Sequence, residues 1–413
     1  MIDFKNFDEY VAIESETISK QVRIFNSRIG VIKEWNTKEL ELYLYKDGKL
    51  FTTTIENPDD KKIKKAVKQA EEIIKKLPEI PFKIGSDKNY INEKYFDEKV
   101  IDEEKMVDKV NEALNKNYDE VAGVLFSSIE KKKIYTPYVQ DEDKNSMAYL
   151  SLRIFKKDAS KHFVSCSRKI DNIDAEVNEE FEAKEIKNAE EGKYDVLLSP
   201  LAFANLIHYF ANFSSAFAVD AGYSFLEGKI GKKVASEKLT IYDSGIEKDG
   251  LFSTKFDDEG VATRKTVVVE DGILKTYLHN STTAMIHKTE TTGNAGIIAP
   301  NPWNTIVNGG DANFDEVFQE INEGIYITNV WYTRFHNYKT GDFSTVARDA
   351  IFFIKNGEIK HTLKNVRISD NLERMLKNIE MLSKEVKQIY WWEVENPVFC
   401  PYAVIKDVRI TTA

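Results

Sequence analysis

The sequence predicts an α+β protein, with an amino-terminal α/β domain built on a mostly antiparallel sheet and a larger, β-rich carboxy-terminal domain that carries a few packed helices. Three observations lead to this prediction: strand-like segments flank two helical patterns in the first half, tight-turn signals separate apolar runs in both halves, and the polar stretch 174–193 lies between them. The 413 residues suffice for two or three domains. We interpret the polar stretch as a solvated helix or linker and place the boundary at residue 190, which gives domains 1–190 and 191–413.

The first half begins with strand-like segments and then becomes helical. β-rich sequence predicts strands at 22–25, 40–44 and 50–55, and Lys46-Asp47-Gly48-Lys49 predicts a hairpin turn between the last two. Apolar residues at three- and four-residue spacing predict an amphipathic helix over 63–77, and a second helical pattern covers 106–114. Strand-rich sequence returns at 119–168.

The longest uncharged stretch of the chain covers residues 196–219, after the start of a short predicted strand at 194–199. Its length would allow it to cross a bilayer. However, Pro200, Asn205 and His208 lie within it, and such residues are costly in lipid. We therefore expect a helix that is buried inside the protein.

The rest of the second half reads as sheet with a few helices. Hairpins are predicted around Asp271-Gly272 and Asn356-Gly357. A capped helix is predicted from Asp370 or Asn371 to Val386, because apolar residues recur there at helical spacing. Alternation over 402–410 predicts a final strand.

Composition excludes several classes of protein. With 42% apolar residues the chain is not wholly disordered, and 68 acidic against 58 basic residues argue against a general nucleic-acid binder. The two cysteines, Cys166 and Cys400, exclude a disulfide scaffold and a four-cysteine zinc module. No apolar signal segment follows Met1. We expect a cytoplasmic protein with no membrane and no nucleic-acid partner.

Common catalytic motifs are absent from the sequence. There is no GxxxxGK[ST], GxGxxG or GxSxG pattern, and none of the six histidines is followed by Glu, which excludes an HExxH zinc-protease helix. His208 lies in the apolar helix, where a buried histidine with one hydrogen-bonded nitrogen is the expected state. His162 and Cys166 share a strand face, and we interpret them as packing residues.

Residues 256–296 have an unusual composition, with a row of acidic residues followed by closely spaced small residues. Asp257, Asp258 and Glu259 stand directly before Gly260, and small residues crowd Thr291–Gly296. Such a row of carboxylates could bind a divalent cation, but we favour a solvated turn before a strand. The glycines suit a substrate-lining loop and an ordinary turn equally.

The second half resembles the TldD/PmbA family in several motifs that follow in the family's order and spacing. The matching segments are Phe256-Asp257-Asp258-Glu259-Gly260-Val261, the hairpin at Asp271-Gly272, Tyr277-Leu278-His279-Asn280-Ser281, Thr292-Gly293-Asn294-Ala295-Gly296, Thr340-Gly341-Asp342-Phe343-Ser344 and Asn356-Gly357-Glu358-Ile359. The stretch from Thr340 is more similar to the TldE (PmbA) branch than to the TldD branch. The Gly48 hairpin and the following helix also resemble the family's amino-terminal domain.

The resemblance implies a metalloprotease fold, and TldD-type members carry an HExxxH motif completed by a cysteine near the carboxy terminus. Alignment places His208 on the first histidine, Tyr209 on the general-base Glu, Phe213 on the second histidine and Cys400 near the cysteine. The resemblance thus implies a chain with no catalytic residue, metal or cofactor of its own, in which His208 and Cys400 are remnant positions. It also implies a heterodimer with a zinc-containing TldD-type subunit that cleaves small unstructured peptides, and we expect a homodimer when the chain is alone.

The residues that could line a substrate cleft, by this resemblance, are His208, Tyr209, Asp258, Glu259, Gly293, Asn294 and Cys400. Two alternatives stay open. The chain could be an autonomous hydrolase with a non-zinc site that uses the acids of 257–259 or His279, or it could be a peptide-binding or regulatory module without a protease partner. The aromatic cluster Tyr390-Trp391-Trp392 is a candidate partner surface.

Overall fold

The computed structural model describes residues 4–114, 118–176 and 183–412. Within these ranges the chain forms three β-sheets and seven α-helices, which confirms the predicted α+β class. The helices are α1 (Asp60–Ile73), α2 (Glu103–Leu114), α3 (Pro200–Phe213), α4 (Ala216–Asp220), α5 (Ser281–His287), α6 (Phe314–Gln319) and α7 (Leu372–Lys377).

Sheet I, formed by the first half of the chain, is antiparallel throughout with the strand order β3-β2-β1-β4-β5-β6. Its strands are β1 (Glu9–Phe25), β2 (Arg28–Lys46), β3 (Lys49–Glu56), β4 (Glu120–Tyr135), β5 (Gln140–Lys156) and β6 (Ala159–Ser167). The predicted turn between β2 and β3 is confirmed: Asp47 and Gly48 have φ angles of 50° and 78°, as a type I′ turn requires.

Helices α1 and α2 cover one face of sheet I. Ala66 and Ala70 of α1 join Leu42 of β2 in one apolar cluster, whereas Met106 and Val110 of α2 belong to the cluster around β4 and β5. Asp59 caps α1, because its side chain accepts a hydrogen bond of 2.7 Å from the Lys62 nitrogen. The amphipathic pattern over 63–77 therefore corresponds to the helix face that packs against sheet I.

The opposite face of sheet I packs against the second half of the chain. Val11 and Ile13 of β1 form a cluster with Phe256 and Ile297. The stretch 82–97 contains no strand or helix and runs across this contact, and a short 3₁₀ helix (Glu98–Ile101) follows it. Along it the Ala262 nitrogen donates to the Asp87 oxygen at 3.0 Å.

The second half contains two further sheets with α3 between them. Sheet II has the order β11-β10-β9-β12-β19-β18, and sheet III the order β13-β8-β20-β16-β14-β15-β7, with β17 paired to β20. The strands of sheet II are β9 (Ile241–Ser244), β10 (Lys265–Glu270), β11 (Ile273–Leu274), β12 (Thr305–Val307), β18 (Lys387–Trp391) and β19 (Val394–Cys400). Those of sheet III are β7 (Ile186–Asn188), β8 (Gly192–Leu198), β13 (Glu323–Asn337), β14 (Asp342–Lys355), β15 (Glu358–Lys364), β16 (Val366–Asn371), β17 (Ile379–Leu382) and β20 (Ala403–Thr412).

The uncharged stretch forms the buried helix that the sequence predicts. Ser199 caps α3 by accepting from the Ala202 nitrogen at 3.3 Å, and Pro200 occupies the first turn, where its missing N–H costs nothing. Helix α3 packs against β19 of sheet II and β13 of sheet III. Over the described part of the chain, no helix combines the length and apolarity needed to cross a membrane.

Two predictions about secondary structure were wrong. The helix after Asn371 ends at Lys377, and Ile379–Leu382 forms β17 instead, because its backbone pairs with β20. In the polar stretch, Ile186–Asn188 forms β7, which pairs with β15, so this part is neither a helix nor a free linker. Residues 177–182 lie outside the described ranges, and the boundary at residue 190 stays a prediction.

Candidate functional site

A cavity of about 230 Å³ lies between sheet I and the second half of the chain. Glu130 and Lys132 of β4 and Asn145 of β5 line its floor, and Phe252 and Trp303 line the opposite wall. Because side chains alternate along a strand, Glu130 and Lys132 share this face, and Asn145 lies directly opposite Glu130 in the ladder. The cavity therefore combines charged, amide and aromatic groups, which suits a polar organic ligand.

Arg168 fixes the two halves of the chain beneath this cavity. Its side chain is fully buried. The guanidinium Nη1 donates to the carbonyl oxygens of Gly250, Leu251 and Ser253 at 3.0, 3.0 and 3.1 Å. Nη2 donates to Oδ1 of Asn145 at 3.0 Å. Burial lowers the pKa of Arg168 to about 10, so the guanidinium remains charged at neutral pH.

Ion pairs bind the same two surfaces together. Lys132 of sheet I pairs with Asp258, one of the predicted cleft residues, at 2.5 Å. Burial disfavours the ammonium of Lys132, but the carboxylates of Asp258 and Glu130 outweigh this effect and raise its pKa. Lys255 pairs with Asp141 at 2.6 Å across the same contact.

The acids next to Asp258 do not form the solvated turn that we favoured. Asp257 and Glu259 are both fully buried. Oδ1 of Asp257 accepts hydrogen bonds from the Glu259 and Val261 nitrogens, and its Oδ2 accepts from Ala295. Glu259 accepts from the hydroxyl and the nitrogen of Ser281. Burial raises the pKa of both carboxyls, so tertiary contacts that the sequence does not reveal override the local turn signal.

The predicted cleft residues Gly293 and Asn294 lie beside the same structure. Asn294 donates at 2.6 Å to Asp243, whose pKa burial raises to about 8. The Gly293 oxygen accepts from the Trp303 indole at 2.8 Å. Gly293 has φ 70°, and a Cβ there would lie 2.5 Å from the Ala262 oxygen. Four predicted cleft residues thus lie close to the contact between sheet I and the second half: Asp258, Glu259, Gly293 and Asn294. Only Asp258 among them is partly exposed.

His208, the predicted remnant of a metal-binding position, is buried within α3 at 4% exposure. Oδ1 of Asn212 accepts from Asn396, so its Nδ2 donates to Nε2 of His208 at 3.3 Å. Nδ1 of His208 then carries the proton and has no hydrogen-bond partner among the described residues. Burial lowers the pKa of His208 to about 4. This is the buried histidine with one bonded nitrogen that the sequence predicts.

The two positions aligned with the remaining protease residues are occupied by packing side chains. The Tyr209 hydroxyl donates to the Thr333 oxygen at 3.3 Å, and burial raises its pKa further above the ordinary value. The Phe213 ring lies 4.9 Å from Phe335 and 5.3 Å from Phe225, centroid to centroid. Both side chains belong to the apolar surroundings of α3.

Cys400 ends β19 and is fully buried. Burial raises the pKa of its thiol well above the ordinary value, which disfavours the thiolate that a metal would bind. In the described ranges, no group of three or more His, Cys, Asp or Glu side chains is placed to hold a metal ion. The residues around His208 therefore do not fit a catalytic zinc, which needs three protein ligands.

A serine–histidine contact on the same face of sheet I also fails as a nucleophile–base pair. Nε2 of His162 lies 2.9 Å from the Ser151 hydroxyl. The Asn329 amide nitrogen lies within reach of both Nδ1 of His162 and the Asp349 carboxylate, each at 3.2 Å, so it donates to both. Nδ1 is then the acceptor and Nε2 carries the proton, which leaves no base for the serine.

The remaining candidates are also engaged elsewhere. Nδ1 of His279 contacts the Thr283 hydroxyl at 3.2 Å, and its ring stacks edge-on against His287 rather than near the acids. In the aromatic cluster, Trp391 is 3% exposed, whereas Trp392 is 62% exposed. Trp392 alone of these two tryptophans is available to a partner.

Sequence reasoning missed the residues that build the cavity between sheet I and the second half of the chain. Glu130 and Lys132 stand in a charged strand whose alternation gives two faces, but nothing in the sequence says which face meets the second half. Arg168 and Asn145 are separated by a whole strand, and their contact depends on the ladder between β5 and β6.

Comparison with known proteins identifies the family. A family model described as PmbA/TldA metallopeptidase C-terminal domain matches residues 191–412, more than half of the chain, and one described as PmbA/TldA metallopeptidase domain 1 matches residues 10–74. The chain therefore belongs to the PmbA/TldD family, which confirms the resemblance.

Curated relatives share a part of the chain. A metalloprotease of Methanocaldococcus jannaschii is 34% identical over 207 residues, 48% of this chain and 45% of that protein. Metalloprotease PmbA of Escherichia coli O157:H7 is 29% identical over 223 residues, 53% of this chain and 47% of that protein. The matched part spans about half the length of these relatives.

Two solved structures share the fold along nearly the whole chain. TldE from Thermococcus kodakarensis has a TM-score of 0.84 at 21% identity, covering 98% of this chain and 97% of that one. A Thermotoga maritima protein has a TM-score of 0.85 at 24% identity, covering 98% and 96%. The roles of the predicted site residues stay predictions.

Proposed function

We propose that this chain is a TldE/PmbA-like subunit, without a complete zinc site of its own, of a TldD/TldE-type metalloprotease complex that cleaves small unstructured peptides. The observation that carries the proposal is the state of α3. His208 is buried and neutral, Tyr209 donates its hydroxyl to a backbone oxygen, and Phe213 packs among aromatic rings.

Zinc hydrolysis needs three protein ligands, a metal-bound water and a carboxylate that accepts the water's proton. Position 209 offers a phenol whose pKa lies above its ordinary value, and position 213 offers no ligand atom. The zinc and the general base therefore come from the TldD-type partner in this proposal. The present chain contributes fold, surface and substrate contacts.

The cavity between sheet I and the second half of the chain supports a role in holding substrate. Its polar floor and aromatic wall provide groups that bind an extended peptide without selecting a single side chain. A complex whose site is sheltered between subunits selects flexible peptides over folded proteins, because a folded chain cannot enter a narrow cavity.

Reconstitution tests the proposal. The chain is co-expressed with a TldD-type subunit from the same genome, and hydrolysis of an unstructured peptide is compared for each subunit alone and for the pair. We expect activity only from the pair, and its loss when the glutamate of the partner's HExxxH motif is replaced by Gln. A TldD-type subunit that is fully active without this chain would contradict the proposal.

Metal analysis of the isolated chain provides a second test. After saturation with zinc and desalting, we expect much less than one zinc per chain by elemental analysis, because His208 and Cys400 cannot complete a coordination sphere. One tightly held zinc per chain, lost in His208→Ala but not in His336→Ala, would overturn the assignment.

A further inference from the structure

We propose that the cavity between sheet I and the second half of the chain binds an ammonium group of a peptide, with the Glu130 carboxylate as its counter-ion. The inference rests on the proposed function only in taking peptides as the natural ligand. Its chemistry is that of a primary amine, which a peptide supplies at its amino terminus or on a lysine side chain.

The position of the Glu130 carboxylate is the first argument. Glu130 lines the cavity and is partly exposed to it. Its Oε2 accepts one long hydrogen bond of 3.3 Å from the Asn145 amide. Among the described residues no ion pair involves Glu130, and a partly buried carboxylate with so few partners retains acceptor capacity for a ligand.

The Asn145 amide, which donates to Glu130, is itself fixed by a hydrogen bond from Arg168. Nη2 of Arg168 donates to Oδ1 of Asn145 at 3.0 Å, which turns the amide nitrogen toward Glu130. Arg168 cannot move, because it is fully buried and bonded to three backbone oxygens of the second half. The carboxylate is therefore preorganised before a ligand arrives, which lowers the cost of binding.

The cations near Glu130 have their own partners. Lys132 is paired with Asp258, and Lys94 is paired with Asp143 at 2.5 Å. The Arg168 guanidinium donates to backbone carbonyl oxygens and to Asn145, while the backbone nitrogen of Arg168 donates to Oδ1 of Asp249 at 2.8 Å. Among the described residues none of these three cations forms an ion pair with Glu130, so its carboxylate keeps acceptor capacity for the N–H groups of an ammonium.

The walls suit an ammonium as well. Phe252 and Trp303 present aromatic rings to the cavity, and the hydroxyls of Thr17 and Ser128 line the same space. Aromatic faces attract cations, and hydroxyl oxygens accept the remaining N–H bonds of an ammonium. A cavity of about 230 Å³ has room for the end of a peptide rather than for a folded partner.

Isothermal titration calorimetry on the full chain, without partner or zinc, tests the inference. The probes are tetra-alanine amide with a free amino terminus, its N-acetyl form, and N-acetyl-Ala-Lys-Ala amide. We expect at least one amine-bearing peptide to bind about tenfold tighter than the acetylated alanine peptide, as a charged hydrogen bond implies. The peptide that shows the preference identifies the amino terminus or the lysine as the source.

Glu130→Gln should abolish the preference, while the control Glu142→Gln should retain it. Glu142 lies on the opposite face of sheet I, is exposed, and lies 3.7 Å from Lys131. Should Glu130→Gln fail to fold, the wild-type preference must still weaken as salt rises. Equal binding of all three probes, no binding of any, or a preference that survives Glu130→Gln would overturn the inference. None of these outcomes affects the partner-dependent hydrolysis that tests the proposed function.

Discussion

Asn212 donates a hydrogen bond of 3.3 Å to Nε2 of His208, one turn earlier on the same helix, and so occupies one of the two ring nitrogens through which a histidine can bind a metal. The Asn212 amide is held in this orientation by Asn396 of β19, whose Nδ2 donates to its Oδ1 at 2.9 Å. The contact gives the imidazole a structural role in the core between sheets II and III.

Replacing His208 should therefore destabilise the chain without changing its metal content. We expect His208→Ala to lower the free energy of unfolding by about 1–3 kcal/mol, through lost packing and an unpaired Asn212 amide. Urea unfolding measures the loss, and the exposed His336→Ala serves as the control. An unchanged stability together with lost activity of the assembled complex would show that His208 is functional.

The difference between wild type and His208→Ala should depend on pH. Burial lowers the pKa of His208 from 6.5 to about 4, so the unfolded chain binds the proton more strongly. The stability from neutral His208 is present above pH 6.5 and is lost as the pH falls toward 4. Urea titrations at several pH values in this window should show the gap between the two proteins narrowing on acidification.

Replacing Glu259 should weaken a pH dependence of the opposite sign, in which stability falls as the pH rises. Burial and the neighbouring Asp257 raise the pKa of Glu259, so the folded chain keeps a proton that the unfolded chain releases. Wild-type stability at this site falls as the pH rises above the ordinary value of 4.5, whereas Gln cannot ionise. Between pH 5 and pH 8, the free energy of unfolding should therefore fall less in Glu259→Gln than in wild type or in the exposed control Glu72→Gln.

Arg168→Ala should be among the most destabilising single changes in the chain. It removes the hydrogen bonds to three backbone oxygens of the second half and to Asn145, and leaves them buried without a donor. We expect a loss of about 3–5 kcal/mol in the free energy of unfolding. Thermal or urea unfolding measures it against Arg28→Ala at the exposed tip of sheet I. A loss as small as that of the control would contradict the role of Arg168 as the joint between the halves.

Trp392 and Trp391 should respond differently to truncation. Trp392→Ala should weaken association with a TldD-type subunit by about tenfold or more with little change in stability, because its ring is 62% exposed and interface tryptophans often dominate binding. Trp391→Ala should instead destabilise the fold by about 3–5 kcal/mol, because its ring is buried. Light scattering with titrated partner, combined with melting curves, separates the two effects. Normal association of Trp392→Ala would remove this surface from the interface.

The sequence by itself determined the elements whose signals are local. The Asp47-Gly48, Asp271-Gly272 and Asn356-Gly357 turns all have positive φ at both central residues, as their composition predicts, because side-chain sterics within a few residues decide them. The buried helix α3 followed from its uncharged run, and the family followed from motif order in the second half.

The tertiary structure alone decided what those elements do. Ile379–Leu382 has a helical apolar pattern, yet it is a strand because β20 offers it a backbone ladder. Asp257 and Glu259 look solvated in the sequence and are buried, because their carboxylates accept hydrogen bonds from distant loops at Ala295 and Ser281. The contact from Arg168 through Asn145 to Glu130 likewise joins residues whose proximity depends on strand register and on the packing of two distant segments, neither of which a local pattern encodes.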